Sequence, residues 1–442
     1  MKDDPNVAGI EMNSAWAARA AAAIPRGLAR GTEVYAARAE GSIIEDVEGR
    51  RYIDFAGGIG VLNVGHRHPR VMAAVAAQLE RFTHTCFQVV PYPGYVALCE
   101  RLNALAPGGF AKKSVLVTTG VEAIENAVKI ARAATKRPAI IAFTGAFHGR
   151  TMMGMALTGK VKPYKEGFGP LPGEVYRAPF PARGVDSAAA LAALDRVLAS
   201  DIEPARVAAV LIEPQQGEGG FHPADPAFMR ALRALCDRHG MLLIADEIQT
   251  GFGRTGRMFA MEHFGVAADL MTVAKSLGGG LPIAGVVGRA EVMDQALPGG
   301  LGSTYAGNPL AVAAALAVLD VLDEERLLDR GVELARRLRE RLLALGRRHP
   351  ELAEVRGLGA MLAVELRAAD GTPAPAAAQA LRRAALARGL VLLVCGVDGN
   401  VIRFLFPLNT PDAVFDEALG ILESSCADAF VAPPAVGAAA PG

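Results

Sequence analysis

The chain has 442 residues, enough for two or three structural regions around a large apolar interior. Lysine plus arginine equals aspartate plus glutamate at 46 each, so no long-range field favours nucleic acid or an anionic membrane as partner. Although 51% of residues are hydrophobic, no apolar run reaches the roughly 18 residues of a membrane span, and the five scattered cysteines (Cys86, Cys99, Cys236, Cys395, Cys426) contain no C-x-x-C pair. They read as reduced thiols, with neither a disulfide frame nor a metal site expected.

In chain order, the first stretch, MKDDPNVAGIEMNSAWAARAAAAIPRG, sets acids beside its one lysine and interrupts its alanine run with Arg19. That is a poor secretory signal, and the expected location is the cytoplasm. Residues 1–55 carry strand-like pieces at Ser42–Val47 and Arg51–Phe55 around the turn Glu48-Gly49, and are expected to pack with a smaller C-terminal domain. Residues 56–307 alternate buried strands with amphipathic helices. The strands are Ser114–Thr118, Ala139–Phe143, Val207–Ile212, Met241–Ala245 and Leu270–Ala274. Val121, Ile124, Val128 and Ala131 recur at helical spacing, as do Phe228, Leu232 and Leu235. Continuous apolar strands between helices indicate an α/β domain with a mostly parallel sheet covered on both faces. Residues 308–430 form the expected smaller α+β domain: an apolar helix from Asn308, an Arg-rich amphipathic stretch Arg330–Arg348, and strands around Gly357. Residues 431–442, an Ala/Pro/Gly tail, are expected to be disordered. No internal repeat is evident.

The chain uses 37 arginines and 9 lysines, and after Lys165 a single lysine remains, Lys275, directly behind the strand Leu-Met-Thr-Val-Ala and before Ser276-Leu277-Gly278-Gly279-Gly280. A surface cation here could have been arginine, as it is elsewhere in this half. Lysine can lose its proton in a dry site and condense with an aldehyde, which arginine cannot. Two more strands end in acids, at Glu213 and at Asp246-Glu247, so three strand ends are expected to face one crevice. Asp246 is the candidate to keep a pyridine nitrogen protonated, Phe147 to stack on a ring and His148 to lie beside it. Gly120 and Val121, opening a helix after Thr118-Thr119, are candidates to hold a phosphate through backbone amides. Gly154–Lys160 fits G-x-x-x-x-G-K, but Val161 replaces the magnesium-binding hydroxyl and no strand precedes it, so a nucleotide loop is rejected. No dinucleotide fingerprint is present.

The segments FAGGIGVLNVGHRHP, TTGVEAIENAVKIARAATKR, FHGRT, ALTGKVKPY, IEPQQGEGG, LLIADEIQTGFGRTG, AKSLGGGLPIAGV, STYAGNPLA and EVRGLGAMLAVEL resemble class III aminotransferases of fold type I, the bacterial 4-aminobutyrate aminotransferases among them. The resemblance runs from about residue 24 to 425. It implies pyridoxal 5'-phosphate as cofactor, Lys275 as its Schiff-base lysine and proton carrier, Asp246 on the pyridinium nitrogen, Gln249 at the ring hydroxyl and Phe147 on the ring face. Gly120 and Val121 would hold the phosphate, with Thr304 of the partner subunit, in a homodimer that could pair further into a dimer of dimers. One departure stands out: Val121 occupies a position where the family commonly has serine.

The resemblance also implies how one pocket takes both an ω-amino acid and 2-oxoglutarate or glutamate. Arg150 would hold the distal carboxylate and Arg403 the α-carboxylate of glutamate. Glu218 would neutralise Arg403 when the ω-amino acid is bound, and Ile59 would form an apolar wall. The expected reaction moves the terminal amino group of 4-aminobutyrate to 2-oxoglutarate. Other ω-amino acids (5-aminovalerate, β-alanine, ornithine, acetylornithine) or an aminomutase reaction would use the same machinery.

Overall fold

In a computed structural model, which describes residues 12–430, the chain builds three sheets. The expectation for residues 431–442 lies outside the described residues. A helix at Asn13–Ala23 leads into antiparallel β1 (Ala36–Glu40), β2 (Ile43–Asp46) and β3 (Arg51–Asp54). The Asp46 carboxylate accepts the Glu48 and Arg50 amides, each at 2.9 Å, and so closes the β2–β3 turn. Strand β3 also pairs in parallel with β13 (Leu390–Val391), which seats the N-terminal strands on the C-terminal part of the chain.

The central sheet contains β4 (Lys112–Val117), β5 (Ala139–Phe143), β6 (Val175–Ala178), β7 (Val207–Ile212), β8 (Leu242–Asp246), β9 (Leu270–Val273) and β10 (Ala284–Arg289). Their order is β4-β10-β9-β8-β7-β5-β6. All neighbours are parallel except β10, which runs antiparallel to both β9 and β4. Every residue of β5 and β7 is buried, because helices cover both faces. The helix Gly120–Thr135 packs Ala123, Ile124, Ala127 and Ala131 on one face, and Pro226–His239 packs Phe228, Met229, Leu232 and Leu235 on the other. The expected strands coincide with β4, β5, β7, β8 and β9 to within two residues at each end. Strands β6 and β10 were not foreseen.

A third, antiparallel sheet follows, ordered β11 (Leu352–Leu358), β12 (Met361–Leu366), β15 (Val401–Phe404), β14 (Leu393–Cys395). The helices Pro309–Glu324, Leu327–Gly346, Pro375–Ala387 and Asp412–Ala429 accompany it, so this part is α+β, as expected. Among the described residues no helix is long and apolar enough to cross a membrane.

One buried cation joins these parts. Arg254 is 0% exposed, donates to the Phe406 carbonyl at 2.9 Å and the Ala360 carbonyl at 3.3 Å, and also donates to Asn63 Oδ1. Asn63 in turn donates to the Phe252 carbonyl at 2.7 Å. Burial pushes the guanidinium below its ordinary value, and carbonyl dipoles stabilise the charge in place of a carboxylate. Removing the guanidinium strands several buried acceptors at once. Arg254→Met should therefore cost about 3 kcal/mol in a denaturant titration; a loss within about 0.5 kcal/mol would show that these acceptors re-pair without it.

Candidate active site

Glu213, Asp246 and Lys275 stand at the carboxyl ends of the adjacent strands β7, β8 and β9, and all three line one cavity of about 380 Å³. Its wall also includes Gly120, Val121, Phe147, His148, Glu218 and Gln249. The crevice read from the sequence is therefore present, and it lies where an α/β sheet collects ligands.

Lys275 follows β9 with φ at +49°, a left-handed conformation that costs a non-glycine residue about 1 kcal/mol. The turn is held from outside: Ser276 Oγ donates to the Gly60 carbonyl at 2.9 Å. Burial lowers the Lys275 pKa below its ordinary value. Arg403 lowers it further, while Glu218, Asp246 and Glu213 act in the opposite direction. The net result is an amine closer to neutrality than a surface lysine.

Asp246 is 4% exposed and paired on several sides. One carboxylate oxygen lies 2.7 Å from His148 Nδ1; the other accepts the Ile248 amide at 3.1 Å and the Thr272 hydroxyl at 3.2 Å. The bond to Asp246 fixes the His148 ring, whose Nε2 is buried and, like Gln249 Oε1, has no hydrogen-bond partner among the described residues. The Glu213 carboxylate accepts the Phe147 and Gly217 amides, both at 3.0 Å, and so ties the Phe147 loop to the end of β7.

The amides of Gly120 and Val121 begin the helix Gly120–Thr135 and have no intrahelical acceptor. Thr119 and Glu122 form a capping box that uses up the neighbouring donors: Glu122 accepts the Thr118 and Thr119 amides at 2.8 Å, and Thr119 accepts the Glu122 amide at 3.3 Å. Two first-turn amides at a positive helix end, on residues that line the cavity, are thus left without an acceptor among the described residues. The Val121 side chain packs away into a slot that two glycines leave open. A Cβ on Gly149 would lie 2.2 Å from Val121 Cγ2, and one on Gly154 2.7 Å from it. Valine in place of serine thus exchanges a hydroxyl for apolar packing against the FHGRT loop.

Arg403 of β15 is buried and bonds Glu218 through Nη1 at 2.5 Å. Burial raises the Glu218 carboxyl, but the Arg403 charge and hydrogen bond outweigh it, and the net pKa lies below the usual range. The Glu218 carbonyl also accepts the Gly396 amide at 3.0 Å, joining the β7 loop to the third sheet. Arg150 and Ile59 are both exposed and do not line the cavity. Thr304 is exposed in a turn before the helix Pro309–Glu324 and does not line the cavity of its own chain. Two polar residues near the site were not singled out from the sequence: Lys160, which donates to the Gly396 carbonyl at 3.1 Å, and Tyr164, which packs on Phe147. Among the described residues no cluster of three or more His, Cys, Asp or Glu is placed to hold a metal ion.

The model for "Aminotransferase class-III" matches residues 28–425. The chain belongs to the class III aminotransferases. It is 56% identical to 4-aminobutyrate aminotransferase GabT of Escherichia coli (strain K12), over 93% of this chain and 97% of that one. Identity to the 5-aminovalerate aminotransferase DavT of Pseudomonas putida is 54%, over 94% of this chain and 99% of that one. Among solved structures, an ornithine aminotransferase from Toxoplasma gondii, with pyridoxal phosphate at partial occupancy in its active site, superposes with a TM-score of 0.83 at 31% identity, covering 94% of each chain. For this class III aminotransferase the site's chemistry fits that cofactor: unpaired helix-start amides for a phosphate, orphaned Gln249 Oε1 for a ring hydroxyl, and a buried carboxylate for a ring nitrogen.

Burial pushes the Glu213 carboxyl up to about 7; His148 pulls it down and Asp246 pushes it up. The fold therefore favours the protonated acid over its ordinary 4.5, and that stabilisation is complete below 4.5 and lost as pH rises through about 7. Glu213→Gln, which cannot ionise, should gain on the parent by about 1–3 kcal/mol between roughly pH 5 and 8 in denaturant midpoints. A stability difference flat across that range would mean the carboxyl ionises in the fold at its ordinary pKa.

Proposed function

We propose that this enzyme transfers the terminal amino group of 4-aminobutyrate to 2-oxoglutarate, giving succinate semialdehyde and glutamate. The observation that carries the reading is the buried Arg403–Glu218 pair beside the Lys275 amine. An enzyme that binds one substrate with a carboxylate at the reacting carbon and one without it needs a cation that can be neutralised internally. An unpaired buried guanidinium would cost several kcal/mol. Glu218 supplies the counter-charge for 4-aminobutyrate and yields its place to the α-carboxylate of glutamate. Arg150 takes the distal carboxylate of either substrate, where its planar fork suits two-point binding, and Ile59 provides an apolar wall.

Pyridoxal phosphate, when bound, supplies the aldehyde for the amine and a ring that accepts electrons as a substrate proton leaves. Lys275 would hold that aldehyde, and its amine, with a pKa lowered by burial, would carry the proton at the substrate's terminal carbon. The Asp246 carboxylate, fixed by His148 and Thr272, would pair with the ring nitrogen and favour positive charge there. Gln249 would reach the ring hydroxyl, and Phe147 would cover a ring face. Gly120 and Val121 take the phosphate with Thr304 of the partner subunit, so the working unit is a homodimer, with a dimer of dimers as the larger form. Its place of action is the cytoplasm.

A second reading, 5-aminovalerate as the preferred donor, is supported by the nearly equal likeness to a relative of that name. Assaying 4-aminobutyrate, 5-aminovalerate, β-alanine, ornithine and acetylornithine against 2-oxoglutarate decides between them; 4-aminobutyrate should give the highest kcat/KM, and a low rank would overturn the first choice. Lys275→Arg removes the condensable amine and should lower transamination more than about a thousandfold; turnover within about tenfold of the parent would remove Lys275 from the mechanism. Glu218→Ala should slow the 4-aminobutyrate half-reaction about tenfold more than the glutamate half-reaction. Equal losses would count against the gate.

A further inference from the structure

Arg150 is a long, exposed side chain, and among the described residues no carboxylate pairs with it, so ionic contacts do not fix where its guanidinium sits. Its neighbour is aromatic: the guanidinium carbon lies 5.5 Å from the centroid of the Tyr164 ring. That ring is itself braced edge-on by Phe147, with centroids 5.0 Å apart and planes at 62°. Phe147 is anchored in turn, its amide bonded to Glu213 at the end of β7 at 3.0 Å. A chain of contacts therefore runs from the rigid sheet through two rings to the exposed cation. Burial, and then Glu218, push the Tyr164 hydroxyl above its ordinary pKa, while Arg150 and Arg403 pull it back, Arg150 in part through a hydrogen bond with that hydroxyl.

We propose that Tyr164 is a positioning and specificity residue: it carries Arg150 at a set distance from Lys275 and so selects the length of the ω-amino acid. The proposal rests on the reading of Arg150 as the cation for the distal carboxylate. A free arginine samples many rotamers, and holding it on an aromatic face removes that freedom before substrate arrives. The distance between guanidinium and amine then matches one chain length better than the next. Without the platform the cation adapts to either length, and binding weakens.

The test compares kcat and KM of holoenzyme variants for 4-aminobutyrate and 5-aminovalerate. Tyr164→Leu should raise KM for the better substrate about fivefold with kcat within about twofold, and should move the kcat/KM ratio of the two substrates towards one. Tyr164→Phe keeps the ring while removing the hydroxyl that Arg150 also bonds, and should stay closer to the parent than the leucine variant does. Should the leucine variant fold poorly, Tyr164→Met keeps the volume without a π face and makes the same comparison. In an Arg150→Gln background, Tyr164→Leu should add nothing further to KM. The proposal is overturned by a parental KM and selectivity in the ringless variant, by a fall in kcat alone, or by an undiminished effect in the Arg150→Gln background. An Arg150→Gln enzyme with parental KM for both carboxylate substrates would instead sink the assignment of Arg150, which separates the two failures.

Discussion

A charge that leaves water for a protein interior must find a partner or give up its proton, because an unpaired buried ion costs several kcal/mol. The crevice at the ends of β7, β8 and β9 is organised by that constraint. Asp246 is paired with His148 and the Thr272 hydroxyl. Glu213 and Glu247 are pushed up to about 7 by burial. Lys275 is pushed down, and Arg403 keeps its charge by pairing with Glu218. Adjacent groups thus have their proton affinities moved in opposite directions by their surroundings, which is what proton transfer near neutral pH requires.

The topology makes that crowding possible. Three parallel neighbours end on the same side, so their terminal residues meet, while the antiparallel β10 returns the chain through Pro282 and Ile283 along the cavity wall. The third sheet supplies Arg403, and the Gly396 amide bonded to Glu218 keeps that sheet in register with the β7 loop. Arg254, reaching Asn63, Ala360 and Phe406 at once, holds the N-terminal segment and the third sheet to the loop after β8.

Much of this was legible in the sequence because it is local. An apolar run followed by an acid or by the one late lysine signals a strand end with chemistry on it, and Thr118-Thr119-Gly120 before an amphipathic stretch signals a helix start. Strand β10 was not legible, since Ala-Gly-Val-Val-Gly-Arg reads as part of a glycine-rich loop. Its glycines serve close approach between strands: a Cβ on Gly288 would meet Leu270 Cδ2 at 2.4 Å, and one on Gly285 the Val115 carbonyl oxygen at 3.0 Å. The His148–Asp246 bond joins residues 98 apart, and Tyr164 reaches Phe147 from a loop whose spacing carries no period. Nothing in a single sequence marks such pairings. The family resemblance brought residues together that spacing alone could not, but it offered no reason for valine at 121, which the slot over Gly149 and Gly154 now gives.

The location of each group also bears on how substrate choice varies while the chemistry stays fixed. Lys275, Asp246 and Glu213 sit on strand ends braced by the sheet and by buried hydrogen bonds, where a shift of one residue would be felt throughout the core. Arg150 and Tyr164 sit on irregular segments and Ile59 on the short kinked turn Gly57–Gly60, all outside the cavity wall, where side chains move with little disturbance to packing. On the proposed reading, the reacting end of the substrate meets the rigid part and its distal carboxylate meets the adaptable part. Relatives named for donors that differ by one methylene can then share more than half their residues with this chain, since an extra methylene is accommodated at the loops and leaves the strand ends untouched.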